Sequence, residues 1–196
     1  MLKIVLILGV IAAILAVVLL FLNFNAKTDL LGQLRSMGYE TKVKEVTYRG
    51  YESKNISAEK DGEKVLIQTV NNVKKDKVGE ILTELTTPVV DASKDISVFD
   101  PYTAQEVTLN VPEELKPIKK EVTIQGQTVP YYLVHANIII SLRVYAETEV
   151  RYKGLFASYF CENNNTAYKL EIYYPLKEEF NEEKAINLFS SLFCTT

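Results

Sequence analysis

The sequence predicts an α+β protein: an N-terminal transmembrane helix, then a small helix–strands–helix unit, then an antiparallel sheet closed by a C-terminal helix. Three observations lead to this prediction. A long apolar run opens the chain, apolar residues recur at helical spacing in short segments, and strand-like segments dominate the second half. Helices and strands therefore occupy separate stretches, which is typical of an α+β fold.

The first element is the run from Ile4 to Leu22, which contains 19 residues and no charged or hydrogen-bonding side chain. As a helix it would be about 28 Å long, close to the hydrocarbon thickness of a bilayer. A cleavable signal peptide is the alternative, although its apolar region normally has only about 7–15 residues. Phe24 also stands two positions before Ala26, where a cleavage site has a small residue. We therefore predict an uncleaved anchor over residues 1–27, with the lipid bilayer as its partner.

Two further properties of the anchor are its orientation in the membrane and its association with a second helix. Lys3 favours a cytoplasmic N-terminus, whereas Lys27 and further basic residues follow the apolar run, so flanking charge leaves the orientation open. Gly9 and Ala13 are spaced to share one side of the helix. Small residues at this spacing let two helices approach closely, which predicts weak self-association.

Residues 28–88 are predicted to form the helix–strands–helix unit, with two or three strands. Asp29 can cap the first helix, and Gly38 is placed to end it. The pair Asp61–Gly62 is a hairpin-turn signal. The remaining elements are strands over residues 41–48, 55–59 and 65–67 and a helix over residues 75–86, which Pro88 is expected to follow.

Residues 89–120 are predicted to connect the two halves, with short strands over residues 96–99 and 106–111 between prolines. Residues 121–196 follow as an antiparallel meander with one face in solvent and a C-terminal helix packed on the other. The predicted elements here are a hairpin around Gly126, a long strand over residues 138–152, a turn at Gly154, strands over residues 155–161 and 168–174, and a helix capped by Asn181.

The two cysteines of the chain are expected to meet. Cys161 ends a predicted strand and Cys194 ends the last predicted helix, so a disulfide would fix the C-terminus to the sheet. Such bonds persist in oxidising compartments. Two glycosylation sequons, beginning at Asn55 and Asn164, are compatible with an external face. We therefore expect the body of this membrane protein to lie outside the cytoplasm; two unrelated buried thiols are the alternative.

Composition argues against several functions. The chain carries 22 Lys and Arg against 25 Asp and Glu, and such a mildly acidic protein does not favour nucleic acid as a partner. His135 is the only histidine, so the usual Cys/His zinc site is excluded and a structural role for His135 is expected. The glycines are scattered and form no phosphate-binding loop. We predict a non-enzymatic protein without metal or cofactor.

One stretch of the chain resembles a known family. Residues 30–39 form a Leu-rich segment ending in Met-Gly-Tyr, residues 55–62 read Asn-Ile-Ser-Ala-Glu-Lys-Asp-Gly, and residues 65–70 read Val-Leu-Ile-Gln-Thr-Val. A Val-Gly pair at residues 78–79 follows. This order and spacing resemble the restriction-endonuclease-like fold in its type IV (Mrr-like) variety over residues 30–87. The alternative is a chance likeness of an ordinary helix–hairpin–helix unit.

The resemblance implies that the catalytic positions of the family are altered in this chain. It assigns Asn55 to the position of the metal-binding Asp, Gln68 to a matching position, and Val70 to the position of the catalytic Lys. An amide is a poorer Mg²⁺ ligand than a carboxylate, and valine carries no charge, so we expect an inactive domain. Two hypotheses follow: an interaction or structural domain outside the cytoplasm, or a cytosol-facing, membrane-tethered protein that binds nucleic acid without cutting it.

Overall fold

The computed structural model describes residues 29–91, 94, 96–100, 105–109, 111–136, 139–141, 147–149, 152–176 and 179–195. The predicted anchor from Ile4 to Leu22, with Gly9 and Ala13, lies outside these ranges. Within them, no helix is long and apolar enough to cross a membrane.

The described part of the chain is α+β, as predicted, with a seven-stranded antiparallel sheet and three α-helices. The helices are α1 (Leu30–Ser36), α2 (Val78–Asp91) and α3 (Glu182–Leu192). The strands are β1 (Glu40–Tyr48), β2 (Tyr51–Lys60), β3 (Glu63–Val70), β4 (Ile96–Asp100), β5 (Gln105–Leu109), β6 (Ile118–Ile124), β7 (Gln127–Ala136), β8 (Ile139–Ser141), β9 (Glu147–Glu149), β10 (Tyr152–Cys161) and β11 (Thr166–Pro175). The sheet has the order β1-β2-β3-β11-β10-β7-β6, and β4–β5 and β8–β9 form separate hairpins.

Strands from both halves of the sequence share the large sheet, because β3 pairs with β11. In this antiparallel register, Val70 lies opposite Ala167 and Ile67 lies opposite Leu170. The helix–strands–helix unit and the meander are therefore joined by a backbone ladder at the centre of the sheet. Strands β1 and β6 form its two edges.

Helices α1 and α3 cover one side of the sheet, which we call the α1–α3 face. Tyr159 of β10 stacks between two rings there, at centroid distances of 5.1 Å to Tyr168 and 4.7 Å to Phe193. The side chains that are fully buried on this face come from both helices and from the central strands: Leu34, Val65, Leu155, Leu170, Ile172, Phe189 and Leu192. This is the main hydrophobic core.

The two predicted helix caps and the predicted turn between β2 and β3 are confirmed. The Asp29 side chain accepts a hydrogen bond from the Gly32 N–H at 2.7 Å, and Asn181 accepts one from the Lys184 N–H at 2.9 Å. The pair Asp61–Gly62 joins β2 to β3 with φ values of 51° and 86°. Two successive positive φ values are what a two-residue type I′ hairpin requires.

Helix α2 covers the opposite side of the sheet, which we call the α2 face. Ile81 and Leu85 of this helix are buried against Val70 of β3, Ala167 of β11 and Phe160 of β10. One three-residue 3₁₀ turn, Lys75–Lys77, leads into the helix. The first half of the sequence thus supplies a cover for strands of the second half.

The predicted end of this helix before Pro88 is wrong, because α2 continues through Pro88 to Asp91. A proline within a helix removes one backbone hydrogen bond. Burial of the residue that follows offsets this loss. Val89 is 9% exposed and packs in a cluster with Val134 and Phe156.

The expected solvated face of the meander is corrected at β10, which is buried on both sides. Leu155 on the α1–α3 face is 0% exposed, and Phe156 on the α2 face is 1% exposed. Gly154 lies within β10 and not at a turn, which corrects a second expectation. A Cβ at Gly154 would lie 2.1 Å from the carbonyl oxygen of Ile172, so the close approach of β11 requires glycine there.

The single long strand predicted over residues 138–152 is also wrong. Strands β8 and β9 pair antiparallel, with Ser141 opposite Glu147, so the chain reverses direction between them. Alternating polar and apolar residues indicate only which side chains share a face, and a hairpin preserves that pattern in both of its arms. The two short strands predicted in the connection are confirmed as β4 and β5, which pair with each other.

The structure contains the predicted disulfide. Cys161 at the end of β10 is bonded to Cys194, which follows α3, with their Cα atoms 5.5 Å apart. The bond closes a sequence separation of 33 residues. A loop of this length corresponds to about 3–4 kcal/mol of stabilisation in the chain-entropy model. The C-terminal helix is therefore covalently tied to the centre of the sheet.

Candidate functional site

Part of the α2 face has no helix over it among the described residues. Helix α2 lies on β10 and β11 and reaches β3 only at Val70. It contacts β1 and β2 only at Tyr48 and Tyr51, beside the β1–β2 turn, so the rest of these two strands and most of β3 stay uncovered. Alternate residues of these strands and of β11 point to this side. We call two neighbouring rows of these residues the open face: Lys42, Lys44, Asn55, Ser57, Leu66, Gln68, Lys169 and Glu171. The next row on the same side, towards the β2–β3 turn, consists of Glu40, Glu59, Lys64 and Tyr173.

The register of the four strands arranges the open face in two rows. In the first row Lys44 lies opposite Asn55, Asn55 opposite Gln68, and Gln68 opposite Lys169. Neighbouring strands are about 4.8 Å apart, so this row extends roughly 14 Å across the sheet. The second row runs parallel to it through Lys42, Ser57, Leu66 and Glu171.

Most polar side chains of the open face are free of protein partners. Within the described residues, no side-chain hydrogen bond or ion pair engages Lys42, Lys44, Asn55, Ser57 or Gln68. Amide and ammonium groups without partners in the protein are available to a ligand. This part of the surface can therefore offer donors from lysine and both donors and acceptors from the amides.

The β11 end of the open face is more constrained. Lys169 forms an ion pair with Glu171 at 2.7 Å and lies over the ring of Phe156, 5.9 Å from its centroid. Glu171 also accepts a hydrogen bond from the hydroxyl of Tyr173 at 2.6 Å. Burial, and then the nearby charge of Glu171, raises the pKa of Tyr173, so this hydroxyl stays protonated. The lysine and the carboxylate are held in place before any ligand arrives.

A shallow trough of about 360 Å³ lies along the open face. Leu66 lines the trough and is 37% exposed, an unusual position for a leucine in the middle of a sheet. A trough of this kind accommodates an extended chain better than a small molecule, which binds in enclosed pockets that cover most of its surface.

The residues that the nuclease resemblance singled out are only partly brought together. Asn55 and Gln68 lie directly opposite each other on the open face. Val70 shares that side of the sheet but is 0% exposed beneath α2, in the cluster with Ile81 and Leu85. A ligand that touched Asn55 and Gln68 would therefore not reach Val70.

His135 lies near the end of β7 in a half-buried position. Burial lowers its pKa, followed by the charge of Lys153 on the neighbouring strand, while a hydrogen bond to the backbone of Leu115 acts in the opposite direction. This is the environment of a structural histidine. In the described ranges, no group of three or more His, Cys, Asp or Glu is arranged to hold a metal ion.

A second polar cluster lies on the α1–α3 face around Glu63. This carboxylate is 8% exposed, accepts a hydrogen bond from the Tyr39 hydroxyl, and receives another from the Lys184 ammonium at 2.9 Å. Burial raises the pKa of Tyr39, and the Glu63 contact raises it further. Tyr39, Glu63 and Lys184 pair with one another, so the cluster links the turn between α1 and β1 to β3 and α3 and has a structural role.

Asn55 and Gln68 were predicted from the sequence, whereas the three lysines of the open face, Lys42, Lys44 and Lys169, were not. The two on β1 alternate with Val43, a pattern visible in the sequence. Lys169 had no such signal, because it joins the row only through the pairing of β3 with β11.

Comparison with known proteins assigns no family to this arrangement. Its chemistry must therefore be inferred from its own side chains. No protein-family model, no curated protein and no solved structure matches the chain.

Proposed function

We propose that this chain is a single-pass membrane-anchored protein whose body lies outside the cytoplasm and acts as a non-enzymatic interaction domain, with the open face as its binding surface. The observation that carries the proposal is the disulfide between Cys161 and Cys194. Structural disulfides persist in secreted and extracytoplasmic proteins and are rare in the reducing cytosol.

The position of α1 supports a body held close to the membrane. The chain between Leu22 and Asp29 is only a few residues long. At about 3.3–3.6 Å per extended residue, such a tether keeps α1 near the bilayer. Helix α1 lies on the side of the sheet opposite to the open face. The open face would therefore be directed away from the membrane surface, where a partner can reach it.

The make-up of the open face favours binding over catalysis. Its single carboxylate, Glu171, is already engaged by Lys169 and Tyr173. General acid–base catalysis needs a group that can exchange a proton with a substrate at the operating pH. The free groups, Asn55, Gln68 and the lysines, supply hydrogen bonds and positive charge instead.

Accessibility labelling of the intact chain in cells tests the location. Lys74 is exposed and precedes α2, so a Lys74→Cys variant should react with a membrane-impermeant maleimide without permeabilisation, while Cys161 and Cys194 react only after reduction. A Leu2→Cys variant is the matched control and should react only after permeabilisation. The opposite pattern, with both native cysteines alkylated without reductant, would overturn the proposal.

The row Lys44–Asn55–Gln68–Lys169 favours a second candidate function, a cytosol-facing protein that binds nucleic acid without cutting it. Lysines flank the two amides there, and phosphate groups are commonly bound by lysine. The same labelling experiment separates the two candidates, because this one requires a body inside the cell and reduced cysteines.

A further inference from the structure

We infer that the open face binds a carboxylated polysaccharide, a chain of neutral and uronic-acid sugars, laid across strands β1, β2, β3 and β11. The inference rests on the proposed function as an interaction domain and names the chemistry of its ligand. Three properties of the open face lead to it: a small excess of positive charge, two amides and one hydroxyl that make no hydrogen bond to the described residues, and an exposed apolar side chain between them.

The charge of the open face matches an anion of low charge density. Lys42 and Lys44 have no acidic partner among the described residues, whereas Lys169 shares its charge with Glu171. The two rows therefore carry three lysines against one carboxylate. The adjoining row adds Lys64 against Glu40 and Glu59, so a small positive excess of four lysines over three carboxylates remains on this side. A polymer with widely spaced carboxylates meets this arrangement without placing several negative charges beside Glu171.

The neutral groups match a ligand that is rich in hydroxyls. Asn55 and Gln68 each offer a carbonyl acceptor and an amide donor, and Ser57 offers a hydroxyl that does both. Sugar hydroxyls also donate and accept, so they can pair with either end of an amide. Leu66, which is 37% exposed beside them, can contact the apolar face of a sugar ring.

Nucleic acid fits the same surface less well. Proteins that bind duplex nucleic acid tightly make on the order of 6–10 phosphate contacts, and the open face has only three lysines for this purpose. Proteins that bind single strands use aromatic side chains on which bases stack. Neither row of the open face contains an aromatic residue. The fixed carboxylate of Glu171 would also repel a closely spaced phosphate backbone.

The test measures binding of the full-length protein, held in nanodiscs of uncharged phosphatidylcholine, to five probes. Two are carboxylated glycans, hyaluronan and polygalacturonate oligosaccharides. Dextran is the neutral glycan, poly-L-glutamate the acidic peptide and a mixed-sequence oligonucleotide, single- and double-stranded, the nucleic acid. We expect at least one carboxylated glycan to bind more tightly than the other three probes, with an affinity that falls as salt is added.

Three variants assign the binding to the open face. The double variant Lys42→Gln/Lys44→Gln should weaken glycan binding about tenfold, since an exposed ion pair contributes up to roughly fivefold. The variant Asn55→Ala/Gln68→Ala should weaken it about tenfold without changing its salt dependence, because it removes neutral hydrogen bonds. Glu171→Gln should tighten binding about threefold by removing the one negative charge among the lysines.

The matched control is Lys74→Gln/Lys75→Gln, which removes two exposed lysines outside the open face and should leave binding unchanged. Failure of both carboxylated glycans to bind, tighter binding of the peptide or nucleic-acid probe, or an equal loss in this control would overturn the inference. Because binding is measured on purified protein, its failure leaves the labelling result intact, so the ligand and the location are judged separately.

Discussion

Strands β2 and β3 have two sides that serve different purposes. On the α1–α3 face, Ile56 and Val65 are buried beneath helices, and Glu63 is paired with Tyr39 and Lys184. On the open face, the alternating residues Asn55 and Gln68 have no partner in the described protein. Because neighbouring side chains of a strand point to opposite sides, one pair of strands supplies both a core and a free surface. Substitutions on the two sides should therefore separate stability from binding.

The largest effect is expected at Phe189, which is fully buried in α3 and contacts the rings of Tyr159 and Phe193. Phe189→Ala should lower the free energy of unfolding by about 3–5 kcal/mol, because it leaves a cavity in the main core. Urea unfolding followed by the near-UV circular dichroism of the tyrosines measures this. Leu66→Ala on the open face is the control and should cost less than about 1 kcal/mol; equal losses would show that the two sides are not distinct.

The second-largest loss of stability is expected when the disulfide is removed. The variant Cys161→Ala/Cys194→Ala should lose about 3 kcal/mol of unfolding free energy, because the open chain gains entropy when it is no longer cross-linked. Reduction with dithiothreitol should produce a similar loss in the wild-type protein and none in the variant. A wild-type unfolding curve that does not respond to reductant would contradict the stabilising role assigned to the bond.

The buried carboxylate of Glu63 should have an intermediate effect. Glu63→Gln keeps an acceptor for Tyr39 but removes the charge paired with Lys184, whose side chain is 58% exposed. We expect a loss of about 1–2 kcal/mol, less than for a fully buried pair, because solvent screens the lysine. Glu45→Gln removes an exposed ion pair with Lys54 and is the matched control, with an expected change below about 0.5 kcal/mol. Losses of similar size would refute a special role for the buried cluster.

A pH-dependent effect is expected at Glu182, at the start of α3. Hydrogen bonds from Lys120 and then Tyr131 lower its pKa below the ordinary value of 4.5. A lowered pKa in the folded state means that this group stabilises the protein above the pKa of the unfolded chain and ceases to do so as pH falls through the folded value. In acid titrations of unfolding free energy, Glu182→Gln should therefore lose less stability than the wild type. Parallel curves would count against the prediction.

The smallest effects on stability are expected on the open face. Asn55→Ala and Gln68→Ala remove side chains that make no hydrogen bond to the described residues, so each should change the unfolding free energy by less than about 0.5 kcal/mol. The same urea curves measure this. Losses above 1 kcal/mol would mean that the two amides support the sheet, and the contrast between its two sides would then disappear.

The features predictable from the sequence are those that depend on neighbouring residues. The caps at Asp29 and Asn181 and the turn at Gly62 follow from local hydrogen bonding and from the backbone freedom of glycine. The cysteine pair could be predicted because Cys161 ends a strand and Cys194 follows the last helix, two elements that pack together.

The features that were missed depend on packing between distant segments. Helix α2 continues through Pro88 because Val89 is buried against β7 and β10. Gly154 is required by the approach of β11, which no neighbour of Gly154 reveals. The residues of the open face could likewise be predicted only in part from the sequence. Its β2 and β3 residues stood out in the sequence, but Lys169 belongs to it only through the β3–β11 ladder.

The pairing of β3 with β11 also limits when the sheet can form during synthesis of the chain. Strand β3 is complete at Val70, whereas β11 begins only at Thr166, so one edge of the first hairpin stays without its partner until most of the chain has been synthesised. Non-local pairing of this kind is slow, because a long loop must close before any hydrogen bond forms. The seven-stranded sheet therefore cannot be completed before β11 has been synthesised. Under the proposed location outside the cytoplasm, such a delay would keep the chain unfolded for transport across the membrane.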